Sequence, residues 1–168
     1  MRHRHPCRLP RLWLMTDERM GEALFDAIRA LPARSGIVFR HYSLDPVTRR
    51  ALMDRVERLA RRGRHWLVVG GEMHGRHRGA MTMPVHSVRE RIAAERMGAR
   101  ALFVSPVFAT RSHPGARPLG RCRFGMIVRG ARVPVIALGG MDARRFRSLR
   151  AFGIHGWAAI DALMPPRV

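Results

Sequence analysis

A chain of 168 residues that is 46% hydrophobic can bury one sizeable core but is too short for two ordinary domains, and its composition excludes a collagen-like or wholly disordered chain. The formal net charge of +20 rests on arginine alone, because no lysine occurs; this excludes lysine chemistry and favours anionic partners such as phosphate, nucleic acid or an anionic surface. The arginines are spread rather than clustered, which argues against nucleic acid, and no apolar run approaches the roughly 18 residues of a membrane span, so a cytoplasmic protein without membrane contact is expected.

Residues 1–11 alternate Arg and His around Pro6 and Pro10 and read as an exposed basic tail, followed by a single domain over 12–168. His3, His5 and Cys7 in that tail have no identifiable supporting groups, so no metal is assigned to them. Cys7 and Cys122 are too few for a disulfide framework and fit a reducing compartment.

From Leu12 onward, short apolar runs alternate with stretches of helical period, the pattern of parallel strands joined by crossover helices. A strand over 12–16 precedes an amphipathic helix over 21–31, and a second strand covers 36–40. Asp45 and Pro46 supply the cap and first residue of a helix through Arg62, with Leu52, Val56, Leu59 and Ala60 as its apolar stripe. A third strand covers 65–69. Between Gly70 and Met83 the pattern falters: the polar stretch 72–80 is too short for a helix and a full strand, leaving at most a strand remnant near 73–76.

Strand character resumes over 81–86, and Ser87 with Glu90 forms a capping box opening a helix that stops at Gly98, with Val88, Ile92, Ala93 and Met97 as its stripe. A strand over 101–105, a helix over 122–130 and a strand over 133–138 follow. Asp142 caps a helix carrying Phe146, Leu149 and Phe152, Gly153 ends it, and 156–160 is the last strand. Seven strands and five helices indicate a TIM-type α/β barrel, truncated around the third helix and fourth strand; a doubly wound open sheet is the alternative.

In such barrels the chemistry lies at the C-terminal ends of the strands, often with a phosphate site after the last two. Gly139 and Gly140 would let backbone amides approach an anion closely, and Ile160 with Asp161 would present further amides after the final strand. The long connection 106–120 carries Thr110, Arg111, Ser112, His113 and Arg117, hydroxyl and cationic donors suited to an anionic ligand.

That connection begins Ser105-Pro106-Val107-Phe108-Ala109-Thr110-Arg111-Ser112-His113 and continues to Pro118-Leu119-Gly120. It resembles the Gly-Pro-Val-Phe-x-Thr-x-Thr-Lys and Pro-Leu-Gly segments of the thiamine phosphate synthases and their thiazole tautomerase relatives. The run from Val133 to Met141, Gly153 with Gly156-Trp157-Ala158, Val85-His86-Ser87 with Glu90, and Met15-Thr16-Asp17 are similar to further motifs of that family. The resemblance implies a transferase joining a pyrimidine methyl pyrophosphate to a thiazole phosphate with the help of magnesium. Arg40, Thr110, Ser112 and His113 would serve the reacting groups; Gly139, Gly140, Ile160 and Asp161 would hold the substrate phosphate.

The sequence departs from the family pattern at several of these places. Val38 and Tyr42 stand at the glutamine and lysine positions of the second strand, His113 at the loop lysine, Pro84 and Asp161 at two serines, and Pro106 at the tautomerase histidine. The usual magnesium carboxylates would fall in the shortened stretch, where Glu72 is the sole carboxylate between Glu57 and Glu90. A non-catalytic binder of a phosphorylated thiazole or pyrimidine is therefore the alternative reading, an arginine-driven nucleic-acid binder a third. Self-association that would cover the shortened region stays open.

Overall fold

The computed structural model describes residues 9–111 and 115–165. Seven strands, β1 (Leu12–Met15), β2 (Gly36–Phe39), β3 (Trp66–Val69), β4 (Thr82–Val85), β5 (Ala101–Val104), β6 (Val135–Leu138) and β7 (Gly156–Ala159), form one sheet in the order β3-β2-β1-β7-β6-β5-β4. All six pairings are parallel. Five α-helices, α1 (Ala23–Ala30), α2 (Pro46–Arg62), α3 (Val88–Arg96), α4 (Gly120–Val128) and α5 (Ala143–Leu149), make the crossovers. The connection from β3 to β4 contains no helix.

The two edges of the sheet, β3 and β4, meet across that connection through one residue. His74 bridges Gly70 at the end of β3 and Thr82 at the start of β4, both in the parallel sense. Gly75 N donates to Thr82 O at 3.2 Å and Thr82 N to Met73 O at 3.0 Å. Inside, a ring nitrogen of His74 lies 2.8 Å from Thr82 Oγ1. The strand remnant anticipated near 73–76 is thus the one-residue stave that carries the curled sheet round to itself, in the truncated barrel foreseen from the sequence.

The barrel interior is a cluster of its own, distinct from two clusters beneath the helices. Trp13 fills its floor, with Phe103 edge-on at 5.3 Å and Trp66 edge-on at 6.4 Å. Space for that indole comes from Gly36: a Cβ there would lie 2.1 Å from the ring. Trp13 Nε1 donates to Pro10 O at 2.8 Å, so the one polar atom of the plug is satisfied. Large aromatic side chains of this kind fill the volume between staves and turn a short barrel into a packed core rather than a pore.

Helix starts follow their sequence signals. The Asp45 carboxylate accepts from Val47 N and Thr48 N, Ser87 Oγ from Glu90 N, and Asp142 from Arg145 N. The Glu90 carboxylate returns to His86 N at 2.8 Å. One expected face is wrong: α3 buries Arg91 and Ala94, whereas Val88 is 40% and Ile92 37% exposed. No helix precedes β4 on that side, and α3 rests chiefly on β4 and α4. Arg91 is drawn inward because its Nη1 donates to Gly130 O and to Glu95, each at 3.0 Å.

Candidate functional site

A cavity of about 470 Å³ opens at the C-terminal ends of the strands, within the range that holds small organic ligands. Residues of β1, β4, β6 and β7 line its wall, joined by Arg40 and Ser105 just beyond β2 and β5; past the end of β3, the Tyr42 hydroxyl lies where a Cβ on Gly70 would meet it at 2.2 Å.

One half of the wall is backbone. Gly139 and Gly140 follow β6, and Ile160, Asp161 and Ala162 follow β7, the neighbouring strand. The diglycine is required by what lies over it. Gly139 has φ 93° and a Cβ there would fall 2.6 Å from Pro106 Cα; Gly140 has φ 58° and its Cβ would fall 2.3 Å from Ala109 O. This close approach lets the loop after β5 bond down onto the turn, Val107 N to Leu138 O at 2.9 Å and Phe108 N to Gly139 O at 3.1 Å. The loop is fastened again where it returns, Leu119 N to Pro106 O and Gly120 N to Val107 O. Thr110 is thereby held in the cavity wall.

Arg40 enters from the end of β2. Its Nε donates to Thr16 O at 3.0 Å, its backbone N to Thr16 Oγ1 at 2.9 Å, and its Nη2 lies 3.5 Å from Asp17. Burial lowers the pKa of this guanidinium, and the Asp17 carboxylate counters that effect. Asp17 is itself held below the usual carboxylate range, chiefly by the hydrogen bond from Arg19. Thr16 Oγ1 also pairs with a ring nitrogen of the buried His41 at 3.1 Å. The result is a cation held by Thr16 and Asp17, just after β1, in the cavity wall.

Asp161, the residue expected to repel a phosphate, is paired outward: Arg111 Nε lies 3.3 Å from its carboxylate. The repulsion is therefore offset by a guanidinium on the loop that crosses the mouth. His86 adds a defined imidazole. Its Nδ1 lies 2.6 Å from Ser105 O, and because a carbonyl can only accept, that nitrogen carries a proton and leaves Nε2 to face other partners.

Of the eight residues expected at the site, Arg40, Thr110, Gly139, Gly140, Ile160 and Asp161 line this single cavity. Ser112 and His113 lie outside the described residues, as do His3, His5 and Cys7. Tyr42 and Pro84, which stand at the lysine and serine positions of the family pattern, line the wall as well; His74 is the wall residue that sequence reasoning did not place there. His74 was read as part of a polar turn, and the strand remnant around it was the available signal. Among the described residues no group of three or more His, Cys, Asp or Glu could hold a metal. No helix among the described residues is long and apolar enough to cross a membrane.

Comparison with known proteins agrees with this fold. Residues 74–163 match the family model described as thiamine monophosphate synthase, a match that begins at the bridging His74. A thiamine-phosphate synthase of Salinispora tropica is 31% identical over 92% of this chain and 89% of its own length. Another, from Pyrococcus furiosus, is 35% identical over 48% of this chain, and the aligned part spans only 39% of that protein. A solved thiamine phosphate pyrophosphorylase from Pyrococcus furiosus superposes with a TM-score of 0.71 at 21% identity, covering 90% of this chain and 86% of that one, a likeness of fold. The chain belongs to the thiamine monophosphate synthase family.

Proposed function

We propose that this chain binds a small phosphate ester in the barrel mouth, and that a thiazole phosphate is the ester to test first. The observation that carries the reading is the side-by-side placement of the Gly139–Gly140 turn and the Ile160–Asp161 segment in one cavity. Amides at such turns, with no side chain in the way, are a ready cradle for phosphate oxygens. Arg40 and Thr110 supply a guanidinium and a hydroxyl at the same mouth. Ser112 and His113 belong to the same loop and would complete its donor set. A cytoplasmic setting and a small-molecule partner go with this reading.

A second reading is favoured by the joint presence of Arg40 and Thr110 beside the cradle. In it the chain performs the family's transfer, joining a pyrimidine methyl pyrophosphate to the thiazole nitrogen. Departure of pyrophosphate needs positive charge, which is usually the largest catalytic contribution in such chemistry. Tyr42 in place of a lysine leaves that charge short. We therefore expect ligand binding with turnover lowered by roughly 100-fold or more against a full synthase.

Calorimetry with thiazole phosphate, followed by incubation with both substrates and magnesium, tests the two readings in turn. Heat with thiazole phosphate that persists in a chelator supports binding. No heat at millimolar ligand contradicts it. Binding without any product selects a non-catalytic relative, and product at an ordinary synthase rate contradicts the expected weakening.

A further inference from the structure

The bond from Arg91 to Gly130 O explains why α3 turns this arginine inward, yet it occupies only one nitrogen of the guanidinium. Arg91 is 8% exposed, and its bonds to Gly130 O and to the Glu95 carboxylate both leave from Nη1. Among the described residues its Nε, shut off from solvent, has no hydrogen-bond partner. A buried donor left without an acceptor is costly, and in a folded protein it marks a place where an ion or ligand belongs. We infer that the cavity beside Arg91 is a second anion site, suited to a phosphate dianion, free or as the end group of a small ester. It stands apart from the barrel mouth and does not depend on the phosphate reading given for that mouth.

Chain order fixes where this cavity lies. It measures about 420 Å³ and is lined by Arg91, Glu95 and Arg96 of α3 together with Gly130 and Arg132. Arg96 ends α3 ahead of β5, while Gly130 and Arg132 lie between the end of α4 and the start of β6. The site is thus where strands begin, whereas the mouth is where they end. Ile92, exposed against the expectation from its helical period, forms part of the wall with Val133. A volume of this size takes a small organic anion.

The charge at the site is unbalanced. Three arginines line it against one carboxylate. That carboxylate is already engaged: Glu95 Oε2 accepts from Arg91 Nη1 at 3.0 Å and Oε1 from Arg132 N at 2.7 Å. Arg96 and Arg132 are exposed, and neither side chain has an ion pair among the described residues. Arginines near helix C-termini ordinarily serve the last carbonyl groups. Here backbone amides serve most of them. Ala93 O accepts from Met97 N at 3.0 Å, Ala94 O from Ala99 N at 3.0 Å, Glu95 O from Gly98 N at 3.1 Å and Val128 O from Ala131 N at 2.9 Å. The guanidinium groups therefore keep donors to spare and an excess of two positive charges, which a phosphate dianion matches. Its oxygens accept from guanidinium edges in pairs, a geometry that arginine offers and other cations do not. A phosphate bridging Arg96 and Arg132 would give the unpartnered edge of Arg91 the acceptor that the protein lacks.

Titration of the ¹⁵N-labelled full chain at constant ionic strength tests the site, once with inorganic phosphate and once with glycerol 3-phosphate. The amides of Ala131, Arg132 and Val133 report on it; those of Gly140 and Asp161 bear on the mouth alone. The first group should shift together and saturate with a dissociation constant of about 10 mM or less. Arg96→Ala combined with Arg132→Ala, both at exposed positions, should weaken that constant about tenfold and leave the shifts of Gly140 and Asp161 as they are. An equal loss of charge on α5, Arg144→Ala with Arg147→Ala, should leave the constant nearly unchanged. Tighter binding of glycerol 3-phosphate than of phosphate assigns the site to an ester end group, and the reverse order assigns it to the free ion. Absence of a saturable shift at Ala131, Arg132 and Val133 with both probes overturns the inference, as does equal weakening by the two double variants, which would reduce the effect to net charge.

Discussion

At Gly140 a single methyl group would collide with a carbonyl. The position has φ 58°, and a Cβ would sit 2.3 Å from Ala109 O, a backbone atom that cannot swing away. Gly140→Ala should cost about 1–3 kcal/mol of stability, from the left-handed conformation and the displaced loop together. It should also weaken phosphate binding at least severalfold, because the cradle and Thr110 move with that loop. Thermal melts with and without phosphate check both; an unchanged melting temperature would show that the loop does not rest on the turn as described. His74 makes a second test. Buried neutral, it has its pKa lowered from 6.5 to about 4, chiefly by loss of solvent. The unfolded chain then binds the extra proton more readily, so stability is complete above pH 6.5 and falls as pH drops toward about 4. His41, also lowered by burial, acts in the same direction. Urea titrations between pH 7 and pH 4 should show a loss of about 3 kcal/mol attributable to His74, and His74→Asn should flatten that slope.

The helices divide into what composition announces and what only packing decides. Asp45, Ser87 and Asp142 each cap the helix that the sequence assigns to them, since a cap is a local bond between a side chain and the next turn. The apolar stripe of α2 was legible for the same reason: Val56 and Ala60 are buried, with Leu52 and Leu59 against the core. The face of α3 was not. Val88 and Ile92 look like core residues by period, yet which face is buried depends on neighbours, and this helix has α4 on one side and no helix from the β3–β4 connection on the other. Arg91 takes the inner position by bonding to Gly130 O. Arg91→Ala should therefore destabilise by about 2 kcal/mol, leaving the Gly130 carbonyl and Glu95 short of a partner, while Ile92→Ala should stay within about 0.5 kcal/mol. Denaturant midpoints for the two variants decide it, and the reverse ranking would restore the stripe expected from the sequence.

Closure of the whole molecule depends on a stretch in which the sequence carried little pattern. Strand existence was legible because parallel staves read as short apolar runs between helices. The closure at His74 was legible only as an interruption, because a one-residue bridge has no period to detect. Likewise Gly139, Gly140, Ile160 and Asp161 could be named from their places after the last two strands, and Tyr42 and Pro84 from the family pattern, whereas His74 joins the cavity only in three dimensions. In the proposed site the diglycine turn after β6 and the segment after β7 would hold one anion between them. Titrating inorganic phosphate into ¹⁵N-labelled protein and following backbone amide resonances tests it most directly. The amides of Gly140, Asp161 and Ala162 should shift together and yield one common dissociation constant. Shifts confined to one of the two segments, or unrelated constants for the two, would contradict the account.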